Sequence, residues 1–353
     1  MNHDRRRFVG RALQAGVAST LLAKTGSAEP ADRSGGESGP YRFKLAMWID
    51  ELTDADELTL EQELEVARDM GIEHVWFQSV PGVAPIPEMS DAQVDRVGES
   101  LARYGRKLLM LSAWIPFHNL PLLDLDLKTM TRNPDFLKEF KAVVRSMQIA
   151  ARLGAPSVLS YSFVWPGERG YGGPTWPMRW ATRGGIIAEM DMEKLVKAFS
   201  LMLEQAEKYD VDLVLGMRPF NYVSSTGNFR RLAERLGSRR LKVQWSPADA
   251  LLSAERDQAT AGFLNLKPNL HSLHMKDVQV LDGPGADFGW RALGDGQVDY
   301  LTILRNLRDH RSEAVLALAT HFRPPSGSLI EAMHINYTNL KALIAKVETD
   351  TAV

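Results

Sequence analysis

The sequence predicts a single (β/α)8 barrel, an α/β fold of eight strand–helix pairs. Three observations point to it. From Tyr41 onward, apolar runs of strand length alternate with stretches whose apolar residues recur at i, i+3, i+4 and i+7. Eight such pairs follow one another in about the length this fold needs. Gly and Pro mark no linker inside the alternation, and no G-x-G-x-x-G follows a predicted strand, which disfavours an open doubly wound sheet.

Each element has its own signal. The first strand is Phe43 to Ile49, and its helix runs from about Leu60 to Met70, stopped by Gly71. His74 to Phe77 is the second strand, followed by a helix over Asp91 to Tyr104 that Gly105 closes. Leu108 to Ala113 is the third. Asn133-Pro134 then opens a helix as cap and first-turn proline, and Gly154 ends it. Ser157 to Phe163 is the fourth strand. A long loop of Gly, Pro, Trp and Arg, Trp165 to Gly185, separates it from a helix over Asp191 to Tyr209. Val211 to Met217 and Leu241 to Trp245 are the fifth and sixth strands, with helices over Asn228 to Leu236 and near Pro247 to Ala254. Leu270 to Met275 is the seventh strand, trailed by a Gly/Asp-rich loop and a helix near Asp299 to Arg308. Ala314 to Ala319 is the eighth, and Ile330 to Val347 the closing helix.

The chain has 353 residues, 24% of them charged, with a net charge of −2 and no cysteine. The charge balance argues against a nucleic-acid partner. The missing thiols remove disulfides, thiolate zinc sites, iron–sulfur clusters and cysteine nucleophiles. Residues 1–28 read as a twin-arginine-type signal peptide: Arg5-Arg6 with Phe8 behind them, a short weakly apolar stretch from Ala12 to Ala23, and Gly26-Ser27-Ala28 for cleavage. The expected location is periplasmic or extracellular, with no membrane association after cleavage. Residues 29–40 read as a tether, 41–347 as the barrel and 348–353 as a tail.

Three segments carry a family resemblance. They are Leu270-His271-Ser272-Leu273-His274-Met275-Lys276-Asp277, Leu293-Gly294-Asp295-Gly296-Gln297-Val298-Asp299-Tyr300, and Val315-Leu316-Ala317-Leu318-Ala319-Thr320-His321. Their order and spacing resemble the xylose isomerase-like TIM barrel family, which includes sugar phosphate isomerases and epimerases and endonuclease-IV-type proteins. The resemblance implies a divalent metal at the C-terminal mouth of the barrel. Its usual ligands are Glu on strand five, Asp on strand six, His on strand seven and Glu on strand eight. His274 matches the histidine. The aspartate falls at Ser246, the first glutamate at Gly216 or Met217, and Ala319 stands where the second is common. Hard cations want charged oxygen ligands, so no cofactor is expected. Rim carboxylates Asp249, Asp277, Glu51 or Glu189 leave room only for a weakly held Mn²⁺ or Mg²⁺. The plainer reading makes Asp249 a helix-start residue and Asp277 a loop residue.

The strand ends nominate the working residues. His274 and His321 are candidate acid–base catalysts, since imidazole titrates near neutrality, and Lys276 is a candidate for holding an oxyanion. Arg218, Arg323, Trp114, His118, Trp165 and Asn221 are candidate substrate-binding residues, suited to a polyol or to an anionic or phenolic small molecule. Asp50, Gln78 and Tyr161 also end strands. The expected function is an exported sugar phosphate isomerase/epimerase-like protein, of isomerase/epimerase or lyase class, that acts on a sugar-like or hydroxylated small molecule by moving protons with histidine and without the family metal. The alternative is a non-catalytic small-molecule-binding barrel of the same descent. An endonuclease role would need several metals and more ligands than these. Oligomeric state is open.

Overall fold

The computed structural model describes residues 39–54, 58–165, 185–282 and 287–350. The expected signal segment, most of the tether, the greater part of the long loop with Trp176 and Trp180, and the last three residues lie outside these. The chain divides into two units, residues 1–40 and 41–353, and the second holds the barrel.

Ten strands are described: β1 (Lys44–Trp48), β2 (His74–Phe77), β3 (Lys107–Ser112), β4 (Ser157–Ser160), β5 (Asp212–Gly216), β6 (Leu241–Trp245), β7 (Leu270–Met275), β8 (Asp277–Asp282), β9 (Asp287–Arg291) and β10 (Val315–Leu318). Eight of them close a barrel in chain order, β1 through β7 and then β10 back to β1. All neighbouring pairs in it are parallel. The helices follow the strands: α1 (Leu60–Asp69), α2 (Asp91–Arg103), α3 (Pro134–Leu153), α4 (Glu189–Tyr209), α5 (Thr226–Leu236), α6 (Pro247–Leu252), α7 (Phe263–Leu266), α8 (Tyr300–Asp309) and α9 (Leu329–Thr349).

Local chemistry sets the ends of these helices. Thr59 and Ser90 each form a reciprocal capping box with a glutamine three residues on. Asn133 caps α3 ahead of Pro134, and Gly154 ends it in the left-handed region.

Side chains alternate across each strand. One parity packs outward against the helices and forms the main core, with Met47, Val75, Val158, Met217, Trp245 and Leu316 among its buried members. The other parity fills the barrel. There Ala46, Trp76, Met110, Leu159, Tyr161, Val214 and Ala317 form a separate buried cluster, with Trp48 packed on it. The interior is therefore solid, and chemistry is confined to the strand ends.

The segment after β7, expected as a loop, is instead an antiparallel ribbon of β8 and β9. Asp277 anchors it. Its carboxylate accepts the amides of Val278, Val298, Gly294 and Gly296 at 2.8–3.2 Å. Gly296 is obligatory because a Cβ there would lie 2.2 Å from Asp277 Oδ1. The Leu293–Tyr300 motif is thus a fold device that docks the ribbon.

Candidate active site

The inward parity of each strand fixes what reaches the C-terminal mouth. From β7 come His274 and, one inward step further, Lys276; both are buried. The strand β5 supplies Gly216 and then Arg218, and β4 leads to Tyr161. After β6, Ser246 caps α6, whose buried Asp249 turns back toward the mouth. Past β10 come Ala319 and His321, and past β1 come Asp50 and Glu51.

Two charged clusters meet there. In the first, Asp249 Oδ2 lies 3.0 Å from Lys276 Nζ and accepts from Arg218 Nη1 at 3.3 Å. Arg218 also donates to the Tyr161 hydroxyl at 3.0 Å and to the Met217 carbonyl at 2.9 Å. All three ionic side chains are 4% exposed or less. Burial, and then the Arg218 charge, push the Lys276 amine down to about 8 against the pull of Asp249. In the second cluster, Glu51 Oε1 stands 3.0 Å from His321 Nδ1, and Glu51 Oε2 accepts the Thr320 amide at 2.5 Å.

The imidazoles sit between these clusters. The His274 and His321 rings are 5.9 Å apart. His274 packs edge-on against Trp48 and Trp76, which stack on each other at 4.9 Å. Its Nδ1 is 3.4 Å from Gln244 Oε1, and its buried Nε2 has no hydrogen-bond partner among the described residues. Burial first, and then the Lys276 and Arg218 cations, hold both imidazoles well below 6.5, so both are neutral at neutral pH. Trp290 of β9 covers the group: its ring lies 4.7 Å from Lys276 Nζ and 4.8 Å from the His321 ring.

The structure brings His274, His321, Lys276 and Arg218 together. Arg323 is exposed nearby, and its charge helps hold His321 neutral. His118 is buried against Tyr161 and Phe220, at 4.8 and 4.6 Å, and burial takes its imidazole down to about 3. Asn221 is a buried brace, donating to the His118 and Phe163 carbonyls at 3.1 and 2.9 Å. Trp165 is a packing residue stacked on Tyr222 at 4.4 Å. Trp114 is 55% exposed with a positive φ of 61°. Of the rim carboxylates, Asp50 ties the ends of β1 and β2 by accepting the Gln78 and Ser79 amides at 3.0 and 2.9 Å. Glu189 pairs with Arg235 on the helical layer.

Sequence reasoning missed Trp48, Trp76, Gln244 and Trp290. The first three share the inward parity of Ala46 and His274, so strict alternation would have found them. The signal for Trp290 was the period-two pattern of Val278, Val280, Phe288 and Trp290 on either side of Gly283-Pro284-Gly285.

The model of the xylose isomerase-like TIM barrel family matches residues 64–335. The chain belongs to that family. Solved structures agree on the fold. A xylose isomerase domain protein from Planctomyces limnophilus is 15% identical, with a TM-score of 0.62 over 88% of this chain and 99% of its own. The IolI protein with a bound zinc atom is 16% identical, with a TM-score of 0.64 over 86% and 99%. An L-ribulose 3-epimerase is 12% identical, with a TM-score of 0.62 over 88% and 97%. No curated protein matches.

The family's metal site does not fit the residues present. On β5 the inward position is Gly216, since Met217 packs in the outer core. A Cβ on Gly216 would fall 2.6 Å from Tyr161 Cε1, so the tyrosine ring occupies the space of the missing side chain. Ser246 is committed to capping α6, and Ala319 is buried with no donor to offer. Among the described residues, no three His, Cys, Asp or Glu side chains converge as a metal site. The mouth nevertheless keeps negative charge that the ligand pattern alone did not anticipate. Asp249 is engaged with two cations and Glu51 with His321.

Proposed function

We propose that the protein is an exported isomerase or epimerase of small, sugar-like hydroxylated molecules that moves protons with histidine and without the family's divalent ion. One observation carries this reading. The His274 Nε2 is neutral, buried and without a hydrogen-bond partner among the described residues, at the same barrel mouth as a buried Lys276–Asp249–Arg218 cluster. A neutral imidazole with a free lone pair is a base. With Nδ1 donating to Gln244, Nε2 takes a proton from the carbon next to a substrate carbonyl. Negative charge then develops on the carbonyl oxygen, and Lys276 and Arg218 are the cations available to hold it. His274 then returns that proton to the neighbouring carbon, while neutral His321, its Nδ1 facing Glu51, uses the Nε2 lone pair to take the substrate's hydroxyl proton and pass it to the carbonyl oxygen. Trp48, backed by buried Trp76, and Trp290 offer apolar faces for the carbons of a sugar.

Deuterium exchange tests this. The protein is incubated in D2O with ketoses, aldoses and simple hydroxyketones, and the carbon next to the carbonyl is followed by proton NMR. Exchange is expected, with a fall of about 10²- to 10⁴-fold in H274Q. Undiminished exchange in the H274Q/H321Q double variant would overturn the mechanism. The degree of burial favours a second reading, a non-catalytic binding barrel: His274 is fully buried and Lys276 is 3% exposed. Sugar binding without exchange would select it.

Export is the remaining part of the proposal. It rests on Arg5-Arg6, Phe8 and the small residues before Ala28. Retention of an R5K/R6K variant in the cytoplasm, against export of the parent, is the expected result. Among the described residues no helix is long and apolar enough to cross a membrane.

A further inference from the structure

Lysine 276 differs from an ordinary rim cation in three ways. Its side chain is 3% exposed, so its amine is not solvated as a surface ammonium is. One carboxylate oxygen, Asp249 Oδ2, is its salt-bridge partner, and that oxygen is shared with Arg218. Its second neighbour is an aromatic face, Trp290 at 4.7 Å. A desolvated lysine beside another cation and a carboxylate that can take its proton is the arrangement that makes an amine a nucleophile toward carbonyl carbon. His274, whose Nε2 has no hydrogen-bond partner among the described residues, lies two residues earlier on the same inward face.

Building on the proton-transfer reading above, we propose that Lys276 forms an imine with the carbonyl group of a small hydroxylated ketone or aldehyde. The iminium then serves as the electron sink that a metal-bound carbonyl would otherwise provide. The ammonium gives its proton to Asp249. The freed Nζ lone pair attacks the carbonyl carbon, an N–C bond forms, and the π electrons go to oxygen, which takes a proton from the attacking nitrogen to give the carbinolamine. Asp249 gives the proton it took to the carbinolamine hydroxyl, which leaves as water as the nitrogen lone pair closes the C=N bond. His274 Nε2 then takes the adjacent carbon-bound proton, and the C–H electrons flow into the iminium to give an enamine. Return of the proton and attack of water regenerate ketone and amine. Only water enters and leaves, and no oxidant or reductant is needed.

Borohydride trapping tests the proposal on the full-length protein. Dihydroxyacetone is the probe, and the products are read by intact mass and peptide mapping. The expected result is one adduct, of the probe's mass less one oxygen, on the peptide bearing Lys276. Its labelling should exceed that of any surface lysine by about 10-fold or more, as suits an activated amine. H274Q should keep the adduct, because the histidine acts after the imine forms, while K276R should lose it. Label spread over surface lysines with none on Lys276 would overturn the proposal. So would K276R labelling like the parent. The map of the unsubstituted chain answers the question even where K276R fails to fold. Exchange dependent on His274 with no label would remove the imine and keep the proton-transfer reading. Label without exchange would do the reverse.

Discussion

Glu51 Oε1 and His321 Nδ1 stand 3.0 Å apart, joined from the first and last strands of the barrel. The other oxygen of Glu51 is fixed by the Thr320 amide at 2.5 Å, so the carboxylate cannot turn away. The carboxylate's charge favours the His321 tautomer with its proton on Nδ1, which leaves Nε2 as the reactive atom. E51Q keeps the shape, but its amide can present a donor to Nδ1 and favour the other tautomer. Turnover should fall about 10²-fold with KM little changed, and steady-state kinetics across pH would show it. A loss confined to KM would mean that Glu51 only shapes the pocket.

Lys276 should cost the fold stability. Burial lowers its amine to about 8, whereas in the unfolded chain it titrates near 10.5. Below pH 8 both states are protonated, and the full penalty of the buried ammonium is present. Between pH 8 and 10.5 the unfolded chain holds more protons than the native one, so stability gains with rising pH. The gain amounts to about 3 kcal/mol at most. K276M lacks this term and leaves Asp249 paired with Arg218. Its stability relative to the parent, measured by urea denaturation, should therefore be highest below pH 8 and decline by that amount toward pH 10.5.

Tyr161 and Gly216 form a matched pair, with the ring lying where a side chain on β5 would go. G216A should destabilise by about 1–3 kcal/mol through overpacking against the ring. Placing Y161A beside it should restore part of that loss, and a double-mutant cycle in chemical denaturation measures the coupling. The same cycle explains why G216E alone should not restore metal affinity: the carboxylate would have to displace the ring that also accepts from Arg218.

The barrel was legible because its signals are local. Alternating periods, the Thr59, Ser90 and Asn133 caps and the Gly154 stop each follow from a few neighbouring residues. His274, His321, Lys276 and Arg218 were legible because strand ends converge in a barrel whatever lies between them. What was not legible depends on side chains meeting across strands. Nothing in the sequence around Asp249 says that its carboxylate serves Lys276 and Arg218, and its helix-start position explained it well enough. Trp165 and Asn221 read as ligand contacts because they follow strands, and nothing in the sequence shows that they also brace loops. The ribbon that carries Trp290 was hidden by a Gly/Asp-rich stretch that reads as a plain loop.

Trp290 ties the two clusters together, since one ring lies against both Lys276 and His321. Its face removes water from the ammonium while its π electrons partly replace that hydration, a contact worth about 1–2 kcal/mol when desolvated. W290A should let water reach both groups. The Lys276 amine then moves back toward its ordinary value, and the rise in stability between pH 8 and 10.5 shrinks. The His321 imidazole also rises as its desolvation is relieved, so the acid limb of the pH–rate profile should shift upward. W290F, which keeps an aromatic face, should retain most of the parent behaviour on both measures. If W290A left the stability–pH curve unchanged while K276M flattened it, the desolvation of Lys276 would have to come from the barrel beneath it and not from the ribbon above.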